Sequence, residues 1–190
     1  MHAASGRITQ GIDMGCDIHA YAEKRTETGW KRLDVKVPDD RDYESFAKLA
    51  NVRNRFDWTP ISKPRGLPDD TCISENDEVD YESPEYVWLG DHSFSWLLLS
   101  ELLAVDWNET VAKSGLVRGK EAADHVRKYN YQPSEYCQGV GGAGADEYER
   151  VEWTQPLYRA VHTMREITLA LLPYSDGKPE NVRIVFGFDN

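Results

Sequence analysis

The residues best equipped for chemistry are Asp17 and His19, which stand two apart in Gly15-Cys16-Asp17-Ile18-His19-Ala20-Tyr21-Ala22-Glu23, where polar and apolar side chains alternate without a break. Alternation of period two marks a strand. It sends Asp17, His19, Tyr21 and Glu23 to one face and Cys16, Ile18, Ala20 and Ala22 to the other. A carboxylate and an imidazole pointing the same way can hold a metal ion or move a proton, although a strand whose second face meets water has the same pattern. At the far end of the chain Val182, Ile184, Phe186 and Phe188 alternate as another strand, followed by Asp189. If that strand lies beside the first, Asp189 joins Asp17 and His19 on the polar face, with Glu23 near the strand end. One imidazole with several carboxylates suits Mn or Mg better than a structural zinc. A divalent metal on Asp17, His19 and Asp189 is therefore expected.

A second cluster, Gly90-Asp91-His92-Ser93-Phe94-Ser95-Trp96, precedes the apolar stripe Trp96, Leu99, Leu102 and Leu103. That spacing predicts a helix with Ser93 or Ser95 at its start. Free N–H groups at a helix start can be capped by Asp91, Ser93 or Ser95 or can hold a phosphate, with His92 available as acid, base or ligand and Asp91 as its catalytic companion. Asn51-Val52-Arg53-Asn54-Arg55 and Pro64-Arg65-Gly66-Leu67-Pro68 place Arg53 and Arg65 in loops, where a planar guanidinium recognises phosphate or carboxylate. Trp58, Trp88, Tyr81 and Tyr86 can wall a pocket or stack on a base. Gly139-Val140-Gly141-Gly142-Ala143-Gly144 matches the dinucleotide-binding glycine pattern in letters only. No apolar strand precedes it and Asp146-Glu147 follow where a phosphate would sit, so it reads as a loop. Cys137, with no basic neighbour in sequence, reads as inert.

The elements that must position these groups follow from periodicity. Thr26-Glu27-Thr28-Gly29 is a turn, and Leu33, Val35 and Val37 alternate after it, which predicts a hairpin. Helices are expected over Tyr43 to Ala50, Gly119 to Tyr129 and Thr154 to Leu172, the last with Pro156 in its first turn and Pro173 at its end. The segments 53–90 and 130–150 are long and rich in Pro, Gly and aromatic residues, as functional loops often are. The fold class expected is α/β of the α+β type: a small, mostly antiparallel sheet covered on one face by helices, with long loops over the other. Residues 14–190 are expected to form one domain, with 1–13 a non-native or flexible extension.

The net charge of −11 argues against a nucleic-acid partner, since phosphate contacts need basic patches. Asp69, Asp70, Glu75, Asp77, Glu78, Asp80, Glu82 and Glu85 carry most of that imbalance within one segment lacking Lys and Arg. It reads as a solvated loop. Its spacing is not that of a calcium-binding loop. Three widely separated cysteines indicate neither a disulfide framework nor a zinc ribbon, which suits a reducing cytoplasm. No apolar run approaches the roughly 20 residues that span a bilayer, so no membrane partner is expected.

Met14-Gly15-Cys16-Asp17-Ile18-His19, Phe46-Ala47-Lys48-Leu49-Ala50-Asn51-Val52-Arg53-Asn54, Pro64-Arg65-Gly66-Leu67-Pro68, His92-Ser93-Phe94-Ser95-Trp96-Leu97 and the closing Val185-Phe186-Gly187-Phe188-Asp189-Asn190 together resemble a set of small uncharacterised bacteriophage and prophage proteins. The resemblance runs over most of the chain and implies Met14 as the natural start. Asp17-x-His19 also resembles the first motif of calcineurin-like metallophosphoesterases, with Gly90-Asp91 as a second, while their later G-N-H-[DE] and G-H-x-H motifs are absent. Two functions are expected from these residues. One is a metal-assisted hydrolase or phosphoesterase for a small, nucleotide-like phosphorylated substrate. The other is a non-catalytic, phage-type protein that sequesters a nucleotide ligand or docks on a host protein.

Overall fold

The computed structural model describes residues 15–71, 87–141 and 144–190. The expectations placed on residues 1–13, Met14, Cys72, Tyr81, Tyr86, most of the acidic segment and Gly142-Ala143 lie outside the described residues. Within them the fold is α+β, as the patterning predicts. A four-stranded antiparallel sheet has the order β2-β1-β6-β3, with β1 Ile18–Thr26, β2 Gly29–Arg32, β3 His92–Leu98 and β6 Val182–Phe188. A separate hairpin pairs β4 Thr110–Arg118 with β5 Tyr148–Pro156. The helices are α1 Tyr43–Ala50, α2 Leu99–Leu103, α3 Lys120–Tyr129, α4 Leu157–Ala160 and α5 His162–Leu171. None of the described helices is long and apolar enough to cross a membrane.

The strand β6 is buried at every position because it is central in the sheet and both of its faces are covered. On one face Ile18, Ala22, Ile184, Phe186, Phe188 and Leu97 join Phe46 and Leu49 of α1 and Met164, Ile167 and Leu171 of α5 in the main core. Apolar side chains at helical spacing on α1 and α5 are what cover a sheet's greasy face, and this burial is the principal stabilising term. On the other face Tyr21, Val185 and Leu89 pack with Leu67, Phe94 and Trp96, so the loops around 67 and 89 form the cover expected of them.

Three elements differ from the sequence reading. The hairpin turn is where the sequence puts it, but the second strand is Gly29–Arg32, and Leu33, Val35 and Val37 instead pack against the core from outside the ladder. The stretch predicted to begin a helix at Trp96 is strand β3, and only the short α2 follows it. Phe94 and Trp96 face the loop-covered side while Ser95 and Leu97 face the other, so period two wins over the helical stripe. The long helix expected from Thr154 is a strand as far as Pro156, then α4 and α5, separated at Val161, whose φ of −115° and ψ of 85° are not helical.

The covered second face also holds a buried charge pair. Arg183 is 2% exposed and Glu23 is 0% exposed, and the Arg183 Nε donates to Glu23 Oε2 at 2.6 Å. Replacing Arg183 by Met leaves the Glu23 carboxylate without its countercharge, and losing one partner of a buried pair costs about 3 to 5 kcal/mol. We expect Arg183→Met to lose that much in urea unfolding and Glu23→Gln combined with Arg183→Met to recover part of it. A single variant as stable as the parent would refute the assignment.

Candidate functional site

The pairing of β1 with β6 sets Ile18 opposite Phe188 and His19 opposite Gly187, so Asp189 arrives beside the start of β1. Its carboxylate does two things there. Oδ1 accepts the Asp17 backbone N–H at 3.0 Å, and Oδ2 lies 3.2 Å from His19 Nε2. That second distance is within ion-pair reach when the imidazole is protonated, but its angle is not that of a hydrogen bond, and Nε2 is buried. The exposed Trp88 covers the imidazole, with ring centroids 4.4 Å apart. Close backbone packing makes this arrangement rigid. Asp91 N–H donates to Phe188 C=O at 2.7 Å, and a side chain at Gly90 would strike that same carbonyl. A Cβ at Gly187 would meet the Leu89 carbonyl and come within 2.7 Å of the Phe94 ring, so glycine is what lets the 87–91 segment lie over His19.

Asp17 is close to this pair but is committed elsewhere. Arg41 forks onto it, Nε to Oδ1 at 2.7 Å and Nη2 to Oδ2 at 2.6 Å, and this guanidinium holds the Asp17 carboxyl below the usual carboxylate range. Among the described residues no three His, Cys, Asp or Glu side chains converge as a metal-binding group. The structure thus brings His19 and Asp189 into contact, while Arg41 takes the Asp17 carboxylate that was expected to be the third ligand.

Arg53 belongs to the same end of the sheet. It follows the left-handed cap Asn51 that ends α1, has a φ of 51° itself, donates from Nη2 to Asn190 Oδ1 at 2.9 Å, and lies over Tyr43 with Arg55 alongside. Tyr43 in turn accepts the Cys16 backbone N–H at 3.3 Å. Burial pushes the Cys16 thiol above its ordinary value, against the opposing pull of Arg53. Asp189, Arg53 and Trp88 are named from the sequence, whereas Arg41 and Tyr43 are not. Arg41 was missed because the stretch 38–42 has no period, and Tyr43 because it reads only as the first residue of a helix.

The second cluster is divided. His92 pairs with Phe188 across the ladder and its Nδ1 is 2.9 Å from Ser93 Oγ, so it sits in the same register row as Ile18 at the site's end of the sheet. Its Nε2 is buried with no hydrogen-bond partner. Ser93 occupies a β-bulge with φ 54°, a conformation that a helix N-cap does not adopt. Ser95 is fully buried and its hydroxyl accepts the Arg65 backbone N–H at 3.2 Å. There is no long helix here to present free N–H groups, because the segment runs as an edge strand. Arg65 leaves the site altogether. It stacks on Trp96 and forks onto Glu101 at 2.9 and 2.6 Å, while Glu101 also accepts the Leu98 N–H. The loop 64–68 is thereby pinned to the edge of β3, with Gly66 N–H donating to Phe94 C=O.

The chain matches no protein-family profile, no curated protein and no solved structure.

The Arg65 fork has a measurable consequence. It holds the Glu101 carboxyl below its ordinary value, so this carboxylate binds its proton more weakly folded than unfolded. The stabilisation is complete above the unfolded value of about 4.3 and is lost as pH falls through the lower folded value. We expect Glu101→Gln to be less stable than the parent at neutral pH and to approach it as pH falls through the lowered folded value. Urea midpoints as a function of pH measure this, and a constant offset at all pH values would contradict it.

Proposed function

We propose that the protein is a hydrolase of phosphoesterase type for a small phosphorylated, nucleotide-like substrate, and that His19 moves the proton. One observation carries this reading: His19 is held between the Asp189 carboxylate at Nε2 and the exposed ring of Trp88. With its Nε2 proton turned toward Asp189, the imidazole keeps its lone pair on Nδ1. A carboxylate behind an imidazole fixes its tautomer and stabilises the cation formed when it takes a proton. Such contacts are commonly loose before substrate binds and tighten around it. The Trp88 ring suits a flat base, and Arg53 supplies positive charge at the same end of the sheet for a phosphate.

Asp189 would be the carboxylate to hold a Mn or Mg ion, which would supply charge neutralisation at a phosphate, since Mg is commonly held by one or two carboxylates together with substrate phosphate. Asp17 can join only by releasing Arg41. A second reading is favoured by that same fork, which occupies a carboxylate that a metal would need: the protein would then hold its nucleotide-like ligand without turning it over.

Calorimetry against a nucleotide panel with Mg and Mn, followed by chromatography of the recovered ligand, separates the two. We expect a cleaved phosphate ester and, for His19→Asn, turnover reduced by roughly 10² to 10⁴ with binding retained. Trp88→Ala should weaken binding. Ligand recovered intact after prolonged incubation would sink the hydrolase and leave the sequestering protein, and unchanged turnover in His19→Asn would remove His19 from the reaction.

A further inference from the structure

A separate cleft of about 440 Å³ opens on the β4–β5 hairpin, lined by residues of α3, of the 131–137 segment and of both hairpin strands. Its volume is within the ordinary range for small-molecule sites, about 300 to 1,000 Å³. The floor is apolar, formed by the buried Val117 and Val126 of the hairpin's own core. Three tyrosines, Tyr131, Tyr136 and Tyr148, line it.

One of those walls is built in. Tyr136 lies across Gly115, where a Cβ would come within 2.6 Å of its ring. Its ring meets Trp153 edge-on with centroids 5.0 Å apart, and its hydroxyl accepts from the buried Lys113 Nζ at 3.3 Å. The segment that carries it is fixed to β4 by a reciprocal pair of backbone hydrogen bonds between Leu116 and Cys137. The cleft is therefore formed before any ligand arrives.

Its charges are unequal. Arg118, the one basic residue lining the cleft, is neutralised by Glu147, with Nε 2.8 Å and Nη2 2.6 Å from Oε2. Glu135 also lines the cleft, is exposed, and has no hydrogen-bond or ion-pair partner among the described residues. The chain as a whole carries −11. Tyrosine rings attract cations through their negative faces, and a nearby carboxylate adds to that attraction.

From this juxtaposition we propose that the cleft is a binding site for an organic cation, a quaternary or methylated ammonium group, with the tyrosines around the methyl groups and Glu135 as counter-ion. The site is independent of His19 and Asp189.

The test uses choline and its uncharged carbon isostere 3,3-dimethylbutanol, each titrated by calorimetry or by ligand-observed NMR into the whole protein. Choline should bind at one site and at least tenfold more tightly than the isostere. Glu135→Gln and Tyr131→Leu, both at exposed positions and each checked for an intact fold by circular dichroism, should each weaken choline severalfold. His19→Asn should leave it unchanged. Equal binding of choline and the isostere, no binding of choline, or Glu135→Gln and Tyr131→Leu both indistinguishable from the parent would each overturn the proposal.

Discussion

A guanidinium buried near the start of the central strand β6 constrains the rest of this molecule. Arg183 lies on β6 between two paired strands, so its charge cannot reach water by turning along the sheet, and desolvating it costs several kcal/mol unless acceptors come to it. Glu23, opposite it on β1, is the first acceptor. Asp70 is the second, taking Arg183 Nη1 at 2.8 Å and the Trp30 indole N–H at 3.0 Å. Thr71 donates to Glu23, and Trp30 stacks on the guanidinium 4.0 Å from its ring centre. The charge thus draws the end of the 64–71 loop across the sheet. What the sequence presents as a wet face is a covered one. The candidate site lies at the end of that face, where the cover is the Leu89-Gly90 backbone lying against Gly187.

This explains what could and could not be read from residue order. The strands β1 and β6 were legible because their inward side chains are aliphatic and aromatic with strict alternation, and Asp189 followed once they were paired. Glu23 was read as a chemical group because alternation reports which face a side chain takes and says nothing of what covers that face. β3 was obscured by coincidence, since Trp96, Leu99, Leu102 and Leu103 satisfy helical spacing across a strand and the helix after it. Short apolar runs do not distinguish the two periods.

The β4–β5 hairpin was hidden for a different reason. Its inward row on β4 is Val111, Lys113, Gly115 and Val117, so half of the positions that should announce a buried face carry an ammonium group and no side chain at all. Each has its cause in a distant residue. Lys113 is tolerated at 5% exposure because Glu44 of α1 meets its Nζ at 2.5 Å, and Gly115 is there because Tyr136 needs the space. Neither partner is near in sequence, so no local window contains the explanation.

The electrostatics of the sheet end trace back to a helix cap. Asp42 caps α1 through the Ser45 N–H, and its other oxygen accepts the Thr163 N–H at the start of α5, while Ser45 Oγ accepts the Met164 N–H. Val161 provides no side-chain cap of its own for α5, so the two helices share one carboxylate. That shared cap fixes the chain at residue 42, and the residue before it is Arg41. The guanidinium is thereby delivered to Asp17 with its fork already oriented, and the neighbouring Tyr43 is delivered to Cys16 and Arg53. Arg41 then determines which carboxylates remain available. Asp17 is engaged at both oxygens, whereas Asp189 is engaged by a backbone N–H at Oδ1 and turns Oδ2 to His19. The same cap that closes the helical layer over the core leaves Asp189, rather than Asp17, as the carboxylate that can act with the imidazole.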